Sequence, residues 1–164
     1  MRQATVRSAS LSASMSRDRK RQHDVRDSYL APLADLELLA DCSRSELTNA
    51  ASLLTQLVLP AGETLLRENT IGREFLIVVD GVLEVTRNTA DGTQLLGVVG
   101  AGDVVGEMSL LDRAPRTATV KTITPTTVYA GSAREFFALL NAVPSTRERI
   151  AAIARERQEL NRAA

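Results

Sequence analysis

The chain has one cysteine, Cys42, and one histidine, His23. A single thiol excludes an internal disulfide and fits a reducing compartment. One His and one Cys also exclude a protein-only zinc site and a Ser-His triad in the folded part. Long hydrophobic runs are missing. The longest uncharged stretch, Leu47 to Gly62, is broken by Thr, Asn, Gln and Pro and cannot span a bilayer. The body carries no basic stripe, which argues against nucleic acid as its main partner. Lysine is scarce, two against eighteen arginines, a bias that matches genomic base composition rather than a function.

The charges that are present balance to zero overall, but not locally. Residues 1–28 hold seven Arg/Lys against three Asp, so the remainder is net negative. That first segment is rich in Ser and Arg and poor in apolar residues, and reads as a disordered tail. Its acid-poor start also resembles a transit peptide, with Met15 as an alternative start. The apolar fraction of 44% and mean hydropathy of −0.06 describe ordinary soluble material. The 164 residues suffice for one domain with a proper core, expected over 29–164.

All nine glycines fall between Gly62 and Gly131, so a glycine-punctuated middle is flanked by two glycine-free arms. In the first arm Leu33, Leu36, Leu39 and Ala40 recur at helical spacing, and Ser43 with Glu46 forms a capping-box pattern opening a second helix. The middle reads as strands: TQLVLP and ETLLRE around Pro60-Ala61-Gly62, then EFLIVV and LEVTRN. Between the latter two, Asp80-Gly81 is a two-residue hairpin signal, and Asp91-Gly92 before TQLLGVV has the same chemistry. TATVKTI and TVYAGS follow. Short strands at this spacing predict a mainly β fold, an antiparallel β-roll (double-stranded jelly roll) over about 53–131. N-terminal helices precede it, and C-terminal helices are expected over about 133–163. Ser132 is the expected N-cap of SAREFFALLNAV, which ends before Pro144. In the last helix Ile150, Ile153, Ala154, Arg157 and Leu160 share one face.

The stretch VVGEMSLLDRAPRTATV, residues 104–120, carries the chemistry. Gly106 permits a tight turn and close backbone approach. The residues after it favour a short helix, whose free N–H groups attract anions. Arg116, stiffened by Pro115, offers a planar fork suited to phosphate oxygens. Glu107 would repel that phosphate, and makes sense if it accepts hydrogen bonds from a neighbouring hydroxyl such as a ribose supplies. The alternative is an ordinary Glu107–Arg116 salt bridge across a turn.

Val105-Gly106-Glu107-Met108-Ser109-Leu110 followed by Pro115-Arg116-Thr117-Ala118-Thr119 resembles the phosphate-binding cassette of the cyclic-nucleotide-binding domains. These occur in the catabolite activator protein, protein kinase A regulatory subunits and nucleotide-gated channels. PAGETLLREN, EFLIVVDG and GAGDVVGE resemble the family's upstream signatures in order, and the likeness covers roughly residues 30–160. It implies ligand-binding roles for Gly106, Glu107, Met108, Ser109, Arg116, Thr117 and Ala118. Glu107 would take the ribose 2′-hydroxyl and Arg116 the phosphate oxygens. The backbone amides of Ser109 and Thr117 would complete the cradle. Val105 stands where the family usually has Phe, a change expected to affect packing more than binding. A hydroxyl after the arginine, as at Thr117, is associated in the family with tolerance of or preference for guanine, but also occurs in domains that bind both nucleotides. Arg157 reads as a solvated charge, or else as a residue over the base. Of Phe136 and Phe137, one is expected in the core and one at an interface.

The resemblance implies a cytoplasmic sensor for cAMP, or less readily cGMP, with no further cofactor and no catalysis. Its hinge helix near 133–142 and its final helix would close over the base and signal to a protein effector or a homodimer partner. No DNA-binding domain and no membrane segment are expected. A transcription regulator would need a helix-turn-helix after the long helix, and a cupin-like metalloenzyme would need more histidines. A degenerate domain that binds only protein is the alternative.

Overall fold

Residues 74–79, EFLIVV, lack the alternation of a half-exposed strand, so both faces of that strand must be covered. The computed structural model, which describes residues 30–163, shows how. In chain order the strands are β1 (Thr55–Leu59), β2 (Thr64–Leu66), β3 (Glu74–Asp80), β4 (Leu83–Thr89), β5 (Gly92–Val99), β6 (Val104–Val105), β7 (Thr119–Thr122) and β8 (Thr126–Ser132). They form two four-stranded antiparallel sheets, of order β1-β8-β3-β6 and β2-β7-β4-β5. Residues 30–34 are helical, a 3-10 turn follows at Glu37–Leu39, and the later helices are α1 (Arg44–Leu53), α2 (Glu107–Asp112), α3 (Ala133–Ala142) and α4 (Pro144–Ala163). This is the expected antiparallel roll with flanking helices. The tail expected over 1–28 lies outside the described residues.

The first sheet is a middle layer. On one face of β3, Leu76 and Val78 meet Leu66, Leu83, Val105, Val120 and Val128 between the sheets. On the other, Phe75 and Ile77 pack with Tyr129 and with Phe136, Leu139 and Ile150 of the C-terminal helices. Phe136 is fully buried, edge-on to Phe75 at 4.9 Å, whereas Phe137 is exposed. Both expected caps form. Glu46 N donates to Ser43 Oγ and Ser43 N to Glu46 Oε2, and Ser132 with Glu135 repeats the arrangement before α3.

Three local expectations need correction, and one strand was not expected. Asp80-Gly81 does not close a hairpin, because β3 already has β8 and β6 on its two edges, and the chain crosses there to the other sheet. The hairpin near Asp91 is real, but its loop is Ala90-Asp91: Thr89 pairs with Gly92, which begins β5 at φ 119°. The helical spacing through Leu33, Leu36, Leu39 and Ala40 is not one helix. Leu36 is extended (φ −79°, ψ 128°) and separates a first turn from Glu37–Leu39, while Leu33, Leu36 and Leu39 are all buried and Ala40 is exposed. Finally, β6 is a strand of only two residues that no periodicity reveals.

Candidate functional site

Gly106 opens α2 in the left-handed region, φ 88°, where a side chain is strained. A Cβ there would stand 2.8 Å from Arg116 Nη1 and 2.9 Å from the Glu74 carbonyl oxygen. The glycine thus lets the start of α2 lie against Arg116. Gly72, which the sequence did not single out, does the same from the other side, since its Cβ would fall 2.1 Å from Ser109 Oγ. The arginine's own backbone is held twice: Arg116 N donates to Thr70 O and Asn69 N donates to Arg116 O, both at 2.8 Å. Its position is set by the β2–β3 loop before any side-chain contact is counted.

Glu107 and Arg116 are both buried, 1% and 4% exposed, yet they do not pair with each other. Arg116 Nη2 donates to the Glu74 carbonyl at 2.8 Å and lies 3.3 Å from its carboxylate, and Nη1 donates to Ser109 Oγ at 3.3 Å. Glu107 Oε1 accepts from Arg157 Nη1 at 2.6 Å, and the same nitrogen donates to the Val104 carbonyl. The turn-spanning salt bridge is therefore absent. Arg157 is not a solvated charge either, because α4 lies across the start of α2 and brings the guanidinium onto the buried carboxylate. The apolar face of Ile150, Ile153 and Ala154 in the sequence is the signal that α4 packs down with Arg157 beneath it. Gln158 adds a second tie to α2, donating to Asp112.

Between the second sheet, the cassette and α4 lies a cavity of about 420 Å³, within the usual range for small-molecule sites. Gly106, Glu107, Met108, Ser109, Arg116, Thr117 and Ala118 all line it. Val85, Leu96 and Val120 form an apolar wall, and Ile153, Arg157 and Leu160 of α4 form the roof. Val105, the departure from the family pattern, is buried between the sheets beside Leu76. Among the described residues no cluster of metal-binding side chains forms, and no helix is long and apolar enough to cross a membrane.

Burial raises the Glu107 pKa above its ordinary value, with Arg157 and the backbone amides of Glu107 and Met108 opposing. Burial likewise lowers the Arg116 pKa, with Glu74 opposing. Two charges kept at a desolvation cost, each in a cavity wall, mark a site more than a stabilising device. The sign of the Glu107 effect is testable. A raised folded pKa means that the native state binds more protons than the unfolded chain between 4.5 and the raised value. Stability therefore falls as pH rises through that window, and the deficit is fully present above it. Glu107→Gln removes the deficit, so the ligand-free variant should melt no lower than the parent at pH 7. The gap between them should close as pH drops below about 4.5. A variant that melts lower at pH 7 and recovers in acid would reverse the assignment.

Known proteins share this fold. The family model of the cyclic nucleotide-binding domain matches residues 56–142. The acetyltransferase Pat of Mycolicibacterium smegmatis is 33% identical over 127 residues, which are 77% of this chain and 38% of that protein. A solved cAMP-binding acyltransferase from Mycobacterium smegmatis aligns with a TM-score of 0.68 and 30% identity, covering 82% of this chain and 42% of its own. The Thermus thermophilus catabolite activator protein aligns with a TM-score of 0.67 and 25% identity over 74% of this chain and 58% of its own. This chain thus spans less than two thirds of each of these relatives. With the fold and the family model over residues 56–142 in agreement, the chain belongs to the cyclic nucleotide-binding domain family.

Proposed function

We propose that the domain is a regulatory sensor that binds cAMP in preference to cGMP, is not itself an enzyme, and works in the cytoplasm. The observation that supports this best is the pair of buried, mutually unpaired charges in one cavity. Arg116 suits a phosphate, and Glu107 suits a hydroxyl donor beside it. A cyclic phosphate and a free ribose 2′-hydroxyl present these two groups on one rigid ligand, with the base directed to the apolar wall and the α4 roof. Binding moves the Arg116 fork from Glu74 to phosphate, and the hydroxyl meets the carboxylate that Arg157 holds. Ligand therefore acts on the contacts that dock α4, which is how a site can bias a two-state helix. The output passes through α3 and α4 to a protein effector or a second copy. Ligand that binds only the native state raises its melting temperature with concentration. A melting temperature that climbs with cAMP, and less with cGMP, supports the reading; no rise with either nucleotide rejects it.

One observation favours the alternative, a domain that keeps the fold and binds only protein. Both buried charges are already satisfied internally, by Glu74 and Arg157. The same melting series separates the two.

Thr117 is exposed and lines the cavity, so its hydroxyl is free to reach a guanine base. Thr117→Ala is expected to weaken cGMP by about 1 kcal/mol, the usual net value of one hydrogen bond, and to leave cAMP nearly unchanged. Titration of both nucleotides checks this. Parallel losses would show that Thr117 acts through the cassette backbone.

A further inference from the structure

Arg87 lies on β4, outside both the cassette and the C-terminal helix, and holds on to each. Its Nε donates to the Thr117 carbonyl at 3.1 Å, and its Nη2 donates to Asn161 Oδ1 at 2.8 Å. Thr117 directly follows Arg116, and Asn161 lies in the last turns of α4. The ties of Arg157 to Glu107 and of Gln158 to Asp112 land on α2, and Arg157 also reaches the Val104 carbonyl just before it. The Arg87 contact reaches the opposite arm, the one that carries Arg116. Among the described residues no carboxylate pairs with the Arg87 guanidinium, so ordinary ion pairing does not account for its placement.

A guanidinium is planar and its donors point in fixed directions. One rigid group therefore sets the Thr117 and Asn161 contacts together. Displacing the Thr117 carbonyl turns the fork away from Asn161, and lifting α4 frees the fork from one of its two acceptors. Holding a long side chain between two neutral acceptors costs rotamer freedom, which a solvated surface arginine would retain.

We propose that Arg87 is a positioning residue that couples docking of the C-terminal helix to the arginine arm of the cassette. It retains nucleotide by keeping α4 down over the cavity, not by touching the ligand. The ligand half of this statement rests on the proposed nucleotide-binding reading; the helix half does not.

The test uses Arg87→Met, which keeps an apolar stem and removes the fork, with Asn161→Ala removing the other end of the same bond. Two readouts are needed: amide hydrogen exchange over residues 157–163 in the ligand-free protein, and stopped-flow association and dissociation of a fluorescent cAMP analogue. Either variant should speed exchange in that segment about tenfold and dissociation about tenfold, the scale of one charged hydrogen bond. Association should stay within about twofold, because loosened contacts act mainly on the off-rate. The double variant should add nothing to either single one. Arg87→Lys should remain loosened, since an ammonium keeps the charge and loses the fork. Unchanged exchange in both variants, additive effects in the double variant, or full rescue by lysine would overturn the coupling. Should Arg87→Met fold poorly, Asn161→Ala at the helix end decides alone. If the parent binds no cyclic nucleotide, the functional reading fails, and the ligand-free exchange still decides whether Arg87 holds the helix.

Discussion

Arg116→Ala is expected to weaken cAMP binding on the order of a hundredfold and to leave the protein folded. In the proposed site the guanidinium, 4% exposed, would meet a charged phosphate, and charge-assisted hydrogen bonds there are worth roughly 1.5–3 kcal/mol each. A hundredfold loss corresponds to about 2.7 kcal/mol, so one or two such bonds suffice. The fold should survive because the terms for the free protein nearly offset. Removing the side chain loses its bonds to the Glu74 carbonyl and Ser109, but it also removes a buried charge whose pKa desolvation lowers. The backbone bonds of Arg116 to Thr70 and Asn69 do not need the side chain. Arg116→Lys should restore binding only in part, since it keeps the charge without the planar fork. Glu107→Gln should cost less than Arg116→Ala, because it retains an acceptor for the hydroxyl and removes a repulsion toward phosphate. Calorimetry on the three variants, with melting curves as the folding control, checks the order. Parent-like binding by Arg116→Ala would mean that the arginine only ties the cassette to Glu74.

Gly106→Ala should be strongly damaging, because backbone strain and close contacts act together there. Left-handed backbone costs an ordinary residue about 1–2 kcal/mol. The added Cβ also meets the Glu74 carbonyl at 2.9 Å and Arg116 Nη1 at 2.8 Å. The carbonyl belongs to Glu74, the first residue of β3, which is paired with Ser132 of β8, so the start of α2, Arg116 or this strand end must shift. A total loss of about 2–4 kcal/mol in stability is expected, in the range of overpacked core positions combined with backbone strain. cAMP affinity should fall at least as far as in Arg116→Ala. Gly102→Ala supplies the internal standard. Gly102 has nearly the same φ, 91°, but a Cβ there meets nothing within 4 Å, so only the backbone penalty applies. Urea melts of the two variants separate the terms. Equal losses would show that the close approach at Gly106 is accommodated without cost.

The elements legible in the sequence are those whose cause is local. The two capping boxes, at Ser43-Glu46 and Ser132-Glu135, depend on four consecutive residues and form where their pattern lies. The cassette resemblance rests on one short run of residues, and the structure brings Gly106, Glu107, Ser109 and Arg116 to one cavity. What the sequence did not reveal depends on distant partners. Asp80-Gly81 has hairpin chemistry, yet β3 spends both edges on β8 and β6, strands about 50 and 25 residues away in the chain. The unalternated EFLIVV run was the available hint of a doubly covered strand. Arg157 shares the apolar face of α4 and reads as a solvated charge or a residue over the base; the packing of Ile150 and Ala154 brings it to Glu107. For Glu74 and Arg87 no local pattern distinguishes them from solvated charges, because their roles are set by the β2–β3 loop and by the end of α4.

The most direct measurement is a calorimetric titration of the parent protein with cAMP and, in parallel, with 5′-AMP. A cavity that holds one ring-constrained phosphate at Arg116 beside a free 2′-hydroxyl at Glu107 should bind cAMP at one site per chain and 5′-AMP clearly more weakly. No heat with cAMP, or equal affinity for the linear nucleotide, would contradict the assignment of Glu107 and Arg116 as the two ends of a cyclic-nucleotide site.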